Sequence, residues 1–381
     1  MTSPITIVGA GLAAYNLARE LRKLSPDAAL RIICADDGAF YSKPMLSTGL
    51  AGNKTAAQLA MKSADKMAEE LRAEIVSHTT VTQIDPAART IDTPAGQFHY
   101  GDLVLALGAD PVRLPLSGEA AEQVISVNDL QDYAHYRERL AGKQRVVLLG
   151  AGLIGCEFAN DLLTSGHQVT VVDLAAWPLS RLLPEAAGRW MQTKLQAAGA
   201  DFRLGRRVQS VDGQDGDYRL TLDDGTVIEA DLVVSAVGLA PRTQLARAAG
   251  LVVERGIVVD RYLRSSDPHI YALGDCAQVA GWLLPFVQPI MQSARALAAT
   301  LAGQAAMVTY PAMPVLVKTP ASPLVVSPPP PGAVGEWLIE EQEGGLRARY
   351  LVGEVCTGFV LLGAATAERA QMAAQLPAWL A

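Results

Sequence analysis

Twice along the chain a β-branched, apolar run meets a glycine-rich turn, continues into a segment of helical period, and returns as a second apolar run ending at an acidic residue. The first copy reads "ITIVGAGLAAYNLARELRKL" and then "LRIICADD"; the second reads "RVVLLGAGLIGCEFANDLL" and then "QVTVVD". Each closes with a related strand and turn, "DLVLALGA" at 102–109 and "DLVVSAVGL" at 231–239. This order of events predicts two βαβ units, with Leu12, Leu17, Leu21 and Leu24 forming the apolar face of the first helix. In a GxGxxG/A turn the first glycine allows the bend, the second lets backbone approach a pyrophosphate, and the third position packs helix on strand. Gly9, Gly11 and Ala14 fill these places in the first copy, and Gly150, Gly152 and Gly155 in the second. A phosphate would sit at each helix N-terminus, where free N–H groups and the dipole favour anions. One such turn is a weak signal, but two in the same setting point to two dinucleotides.

The acids at the strand ends choose the nucleotide. Asp173 lies 21 positions after Gly152, where a carboxylate accepts from ribose hydroxyls and repels a 2′-phosphate. NADH is therefore favoured over NADPH in the second unit, although Arg181 follows closely enough to keep NADPH open. Asp36 and Asp37 offer the corresponding choice in the first unit.

The 381 residues exceed one ordinary core. Half are hydrophobic and 19% charged, as in a compact protein, and the net charge of −7 argues against a nucleic-acid binder. No apolar run reaches the ~18–20 residues of a membrane span. The first strand-like run begins at Ile5, leaving no room ahead of it for a signal peptide, so a cytoplasmic chain is expected. Cys34, Cys156, Cys276 and Cys356 are widely spaced, as are the five histidines, so free thiols and no metal site are expected. Cys156 follows the last glycine of the second turn; a low-pKa thiol there is possible, but packing is the favoured role.

The helical stretch "QPIMQSARALAATLAG", ending at Gly303, belongs to neither repeat. Beyond Tyr310 the chain turns proline-rich, with Pro328 to Pro331 as a stiff turn, and then shows three strand-like runs and a final Ala-rich helix. The expected fold is α/β: two Rossmann-like dinucleotide-binding domains, the second inserted in the first, plus a small α+β C-terminal domain. The expected boundaries are 1–110 with 240–308, then 111–239, then 309–381.

"GAGLAA", "LALGA", "GAGLIGCEFA", "DLVVSAVGLAPRT" and "IYALGDCA", in that order, resemble the pyridine-nucleotide:disulfide reductase-fold flavoproteins. The resemblance implies FAD in the first unit and NADH in the inserted one, with Asp275 holding the flavin ribityl chain. Disulfide reductases of that fold carry a cysteine pair beside the flavin, and related enzymes a single cysteine. Here the region reads "FYSKPMLSTGL" with none, so the usual thiol relay is excluded and a protein carrier of single electrons remains. "YSKPMLSTG", "GIVVDRYLR" and "MPVLVKTPASPLVVSPPPPG" are similar to the NADH-dependent rubredoxin reductases, with flavorubredoxin reductases more distant.

By that likeness Lys43, Val81, Glu157, Val287 and Lys318 would line FAD together with Asp275, and the first turn and its strand end add Gly9, Ala10, Gly11, Leu12, Ala14, Ala35 and Asp36 to the FAD set. Lys43, Glu157 and Lys318 would be the catalytic residues; Gly150, Gly152, Gly155 and, from the general motif only, Asp173 would bind NADH. A cation beside the isoalloxazine stabilises the reduced, anionic flavin, which gives both lysines a physical reason; an exposed solubilising role is the alternative for each. The implied activity is electron transfer from NADH through FAD to rubredoxin, as in electron supply to alkane hydroxylase or in oxygen and oxidative-stress defence. Alternatives are a ferredoxin or flavorubredoxin reductase, an NADH oxidase, and an NADH-sensing flavoprotein with little turnover. Rubredoxins are acidic, so Lys43 and Lys318 are also expected to influence docking and its salt dependence. A monomer or weak homodimer is expected.

Overall fold

The computed structural model describes residues 3–214 and 216–380, so the outermost expected domain limits, at 1 and 381, lie outside the described residues. Each repeat forms its own parallel sheet. In the first, strands Ile5–Val8, Leu30–Ile33, Glu74–Val76, Leu103–Leu105 and Ile270–Ala272 are arranged with Ile5–Val8 at the centre. In the second, Arg145–Leu149 pairs in parallel with Gln168–Asp173 on one side and Leu232–Ser235 on the other, and Ala200–Leu204 forms an edge. The central strands are apolar on both faces, as parallel strands covered by helices must be: Ile7, Val104, Leu148 and Val234 are all buried.

The helices Leu12–Leu24 and Leu153–Thr164 start directly at the glycine turns. Leu17 and Leu21 are fully buried, but Leu24 is 46% exposed. The face is completed instead by Ala14, Tyr15 and Ala18, so it is broader and more N-terminal than the leucine spacing implies. Helix Val287–Leu301 packs against Leu12–Leu24, and Gly303 lies just beyond its end at φ +85°, a left-handed conformation suited to glycine.

The repetition extends further than the sequence suggested: each unit also carries a three-stranded antiparallel meander, at 83–99 and at 208–230. The chain passes between the units along two short segments, Ala109–Pro111 and Leu239–Pro241, which pair with each other antiparallel. The expected divisions after 110 and after 239 fall at this two-stranded link.

Beyond residue 309, five antiparallel strands run in the spatial order Val315–Val317, Leu324–Ser327, Val355–Gly363, Gly345–Val352, Glu336–Gln342. In the two adjacent strands Leu324–Ser327 and Val355–Gly363 the buried side chains alternate between the two faces. Leu324, Val326, Val360 and Leu362 join the core of the second unit, whereas Val325, Phe359 and Leu361 pack beneath helix Arg369–Gln375 with Met372. The C-terminal sheet therefore shares a core with its neighbour, which fixes the position of the loop leading to Lys318.

Candidate functional site

A cavity of about 1150 Å³ opens where the three parts meet. Small-molecule sites usually span roughly 300 to 1,000 Å³, so this volume is on the scale of a dinucleotide. Its wall includes Gly9, Ala10, Gly11, Leu12, Ala35, Asp36, Lys43, Val81, Glu157, Asp275, Val287 and Lys318. Ala14 is not part of that wall: it is fully buried inside the helix packing and supports the turn from behind.

The glycines of the first turn divide the work by geometry. A Cβ on Gly9, at φ +112°, would lie 2.3 Å from the Ala106 carbonyl oxygen, whereas one on Gly11 would meet nothing within 4 Å. The second glycine thus faces open cavity. Gly11 caps helix Leu12–Leu24 with no side chain on its N–H groups and no acid in its first turn, leaving these donors for an anion. The cradle fits the pyrophosphate of FAD. Of the two acids in the first unit, Asp36 borders the cavity and Asp37 does not; the Asp36 carboxylate also accepts from Gly38 N–H at 3.0 Å.

Gly150, Gly152, Gly155 and Asp173 lie outside this cavity, at the end of the second sheet. A Cβ on Gly155 would come within 1.9 Å of the Gly150 carbonyl oxygen, while Gly152 is open and its helix again has bare N–H groups. Asp173 accepts from the N–H of Ala151 at 2.5 Å and of Ala175 at 2.6 Å. A carboxylate has about four lone-pair sites, so clamping the turn leaves capacity for ribose hydroxyls. Cys156 is fully buried beneath the turn, its thiol donating to the Ala151 carbonyl at 3.3 Å. Burial first, and the Asp173 and Glu157 charges second, push this thiol up, the opposite of activation.

The catalytic set from the sequence separates into two clusters. Glu157, 2% exposed, forms an ion pair with Lys318. Ser47 Oγ donates at 2.5 Å to the same carboxylate oxygen, Oε2, while Oε1 accepts from the Lys318 backbone N–H at 3.0 Å. Lys318 Nζ also donates to the Pro44 carbonyl at 2.6 Å and to Ser47 Oγ at 2.8 Å. Lys43 stands with Asp275: burial pulls the ammonium down, opposed mainly by the Asp275 charge, and burial pushes the Asp275 carboxyl up, opposed by Lys43. Both lysines belong to the cavity wall, and Lys318 is directed to buried partners. The Lys318 ammonium is committed to a carboxylate, a carbonyl and a hydroxyl and so contributes little to a surface field; among the described residues Lys43 has no such set of partners.

Ser47, Asn160, Asp161 and Arg242 were missed by the sequence reading. Arg242 borders the cavity beside Lys43 and pairs with Asp110 at 2.7 Å across the two-stranded link. Asp161 and Asn160 share the helix of Glu157 and are buried with it. An amide at i+3 and a carboxylate at i+4 after Glu157, on an otherwise apolar helix, was the available signal.

Comparison with known proteins agrees with this architecture. The family model described as pyridine nucleotide-disulphide oxidoreductase matches residues 3–301, and that described as rubredoxin binding C-terminal domain matches residues 307–376. The chain is 48% identical to the rubredoxin-NAD(+) reductase of Acinetobacter baylyi over 95% of this chain and 94% of that protein. It is 44% identical to the nitric oxide reductase FlRd-NAD(+) reductase of Aeromonas salmonicida over 98% and 96%. Among solved structures, a ferredoxin reductase from Rhodopseudomonas palustris superposes with a TM-score of 0.87 at 28% identity, covering 95% of this chain and 91% of that one. With a family model spanning both glycine turns and a relative matched along nearly its full length, the chain belongs to the pyridine nucleotide-disulphide oxidoreductases, and within them to the rubredoxin-NAD(+) reductases.

Proposed function

We propose that this protein transfers electrons from NADH through FAD to rubredoxin, with FAD held by 1–110 and 240–308, NADH by 111–239, and the carrier received with the help of 309–381. The observation that carries the reading is the junction itself: a dinucleotide-sized cavity with a bare helix N-terminus at one end and residues of all three parts in its wall, the third part matching a rubredoxin-binding family. Bound FAD supplies the conversion from a two-electron donor to a one-electron acceptor. The protein's residues bind, orient and balance charge around it.

Gly9 and Gly11 bring backbone to the pyrophosphate, and Asp36 takes the adenosine ribose. Asp275 would accept from the ribityl hydroxyls; burial pushes its carboxyl up, and hydroxyl donors there would favour the charged form. Lys43 and Lys318 place two cations at the flavin end of the cavity, where negative charge accumulates on reduction. Glu157 holds Lys318 in place and borders the cleft from the nicotinamide side. Val81 and Val287 would supply apolar surface to the flavin from the cavity wall. Gly150, Gly152 and Gly155 form the NADH phosphate turn, and Asp173 selects NADH by its charge.

Cytoplasmic location and a monomer or weak homodimer complete the proposal; among the described residues no helix is long and apolar enough to cross a membrane. The test is a visible spectrum of the purified protein: flavin bands that bleach with NADH support donor and cofactor together. A colourless protein that does not take up FAD would refute both.

A further inference from the structure

Helix Leu153–Thr164 carries three buried polar side chains on one face, Glu157, Asn160 and Asp161. Glu157 belongs to the cavity wall, but Asn160 and Asp161 do not. Apart from Asn160 Nδ2, which donates to Thr164 Oγ1 at 3.5 Å on the same helix, their hydrogen-bond partners are backbone groups of the other two parts of the molecule. The Asp161 carboxylate accepts from the N–H of Leu50 at 3.0 Å and of Ala51 at 3.0 Å, just past the 3₁₀ turn Lys43–Thr48 that carries Lys43, Pro44 and Ser47. Asn160 Oδ1 accepts from Ala321 N–H at 3.0 Å, three residues beyond Lys318. One helix face thus grips, through consecutive turns, both segments that converge on Glu157.

The arrangement costs more than stability requires. Removing a carboxylate and an amide from water is unfavourable, and well-packed apolar residues at the same positions would hold a helix as firmly. What apolar packing does not fix is the register of two separate backbone segments to a few tenths of an ångström. That register determines whether Lys318 Nζ reaches the Pro44 carbonyl, Ser47 Oγ and Glu157 together.

We propose that Asp161 and Asn160 are positioning residues for electron transfer: by clamping Leu50–Ala51 and Ala321 they hold Ser47 and Lys318 in register with Glu157 at the flavin end of the cavity. The proposal rests on the reading that Lys318 faces bound FAD. It touches neither nucleotide, so its effects pass through the Lys318 cluster alone.

The test is a double-mutant cycle on the FAD-loaded protein with Asp161→Asn, Lys318→Met and the combination, reading the flavin midpoint potential, the rate of flavin reduction at saturating NADH, and thermal unfolding. Asp161→Asn is expected to move the potential in the same direction as Lys318→Met and to slow reduction about tenfold to a hundredfold, the scale of a small misplacement in a reacting site. In the Lys318→Met background the further change should be less than about twofold. A lowered unfolding temperature with unchanged potential and rate, or effects that multiply fully in the double variant, would overturn the proposal. If Lys318→Met itself moves neither quantity, the underlying reading of Lys318 fails, and the positioning role with it. Should Asp161→Asn lose FAD, Asn160→Leu, which frees Ala321 alone, carries the same expectation and the same refutation.

Discussion

At the scale of single residues, the cavity wall holds a buried carboxylate whose cation comes from a distant part of the chain. Lys318→Met removes the ammonium and leaves Glu157, 2% exposed, with only Ser47 and one backbone N–H. We expect a loss of about 3 kcal/mol or more in unfolding free energy, the usual cost of stranding a buried charged partner. Pairing it with Glu157→Gln should restore most of that loss, measurable by denaturant titration. Cys156 makes the opposite prediction. Its thiol is fully buried against the Ala151 carbonyl and pushed up by burial, so Cys156→Ser should cost ~1–2 kcal/mol of stability through the buried hydroxyl while steady-state electron transfer stays within about twofold of wild type. A collapse of turnover with an intact flavin spectrum would make the thiol a redox group after all. Lys43, Glu157 and Lys318 could be named from motif company alone, but Ser47 could not. A serine ahead of a threonine carries no signal until the fold brings it beside a helix 110 positions away.

At the scale of elements, the two glycine turns repeat a division of labour. Gly155 is pressed to the Gly150 carbonyl, where an added Cβ would sit 1.9 Å away, whereas Gly11 and Gly152 face open space. Gly155→Ala should therefore push helix Leu153–Thr164 off its strand and cost about 3 kcal/mol or more, seen as a lowered unfolding temperature of the apoprotein. Gly11→Ala should leave the apoprotein's stability nearly unchanged while weakening FAD retention at least tenfold, measured by flavin release. Equal effects on folding would contradict the division. A second element-level prediction concerns acid. Hydrogen bonds from Arg19 and then Lys62 hold the Glu70 carboxyl down at about 2 from its ordinary 4.5, linking helix Ala64–Leu71 to helix Leu12–Leu24. A depressed carboxylate stabilises above its unfolded value and loses that contribution as pH falls from 4.5 towards 2. Glu70→Gln should accordingly flatten the decline in stability across this window and leave stability at pH 2 nearly unchanged. The strands and helices themselves were legible because apolar period and glycine punctuation agreed. The meanders at 83–99 and 208–230 were not, since their strands are three to seven residues long and half-exposed, too short for periodicity to stand out.

At the scale of the whole molecule, two nucleotide-binding units and a third sheet are welded at one junction. The duplicated turns made the first two legible, and the change to proline-rich sequence marked the third. What no local pattern could reveal is that Val326, Val360 and Leu362 of the third sheet share a core with Met191 and Leu195 of the second unit, because a shared core depends on contacts far apart in the chain. The commitment of Lys318 to Glu157, Ser47 and the Pro44 carbonyl escaped sequence reasoning for the same reason. The central claim is that electrons pass from NADH to rubredoxin through a flavin in this cavity. Its most direct test is sequential stopped-flow: bleaching of the flavin bands by NADH, then mixing of the reduced protein with oxidised rubredoxin, with ferredoxin and oxygen in parallel. The account predicts full bleaching, then return of the flavin bands with reduction of two rubredoxin iron centres per NADH, at least tenfold faster than with ferredoxin or oxygen. Faster turnover with ferredoxin or oxygen, or NADH consumption that rubredoxin does not accelerate, would contradict it.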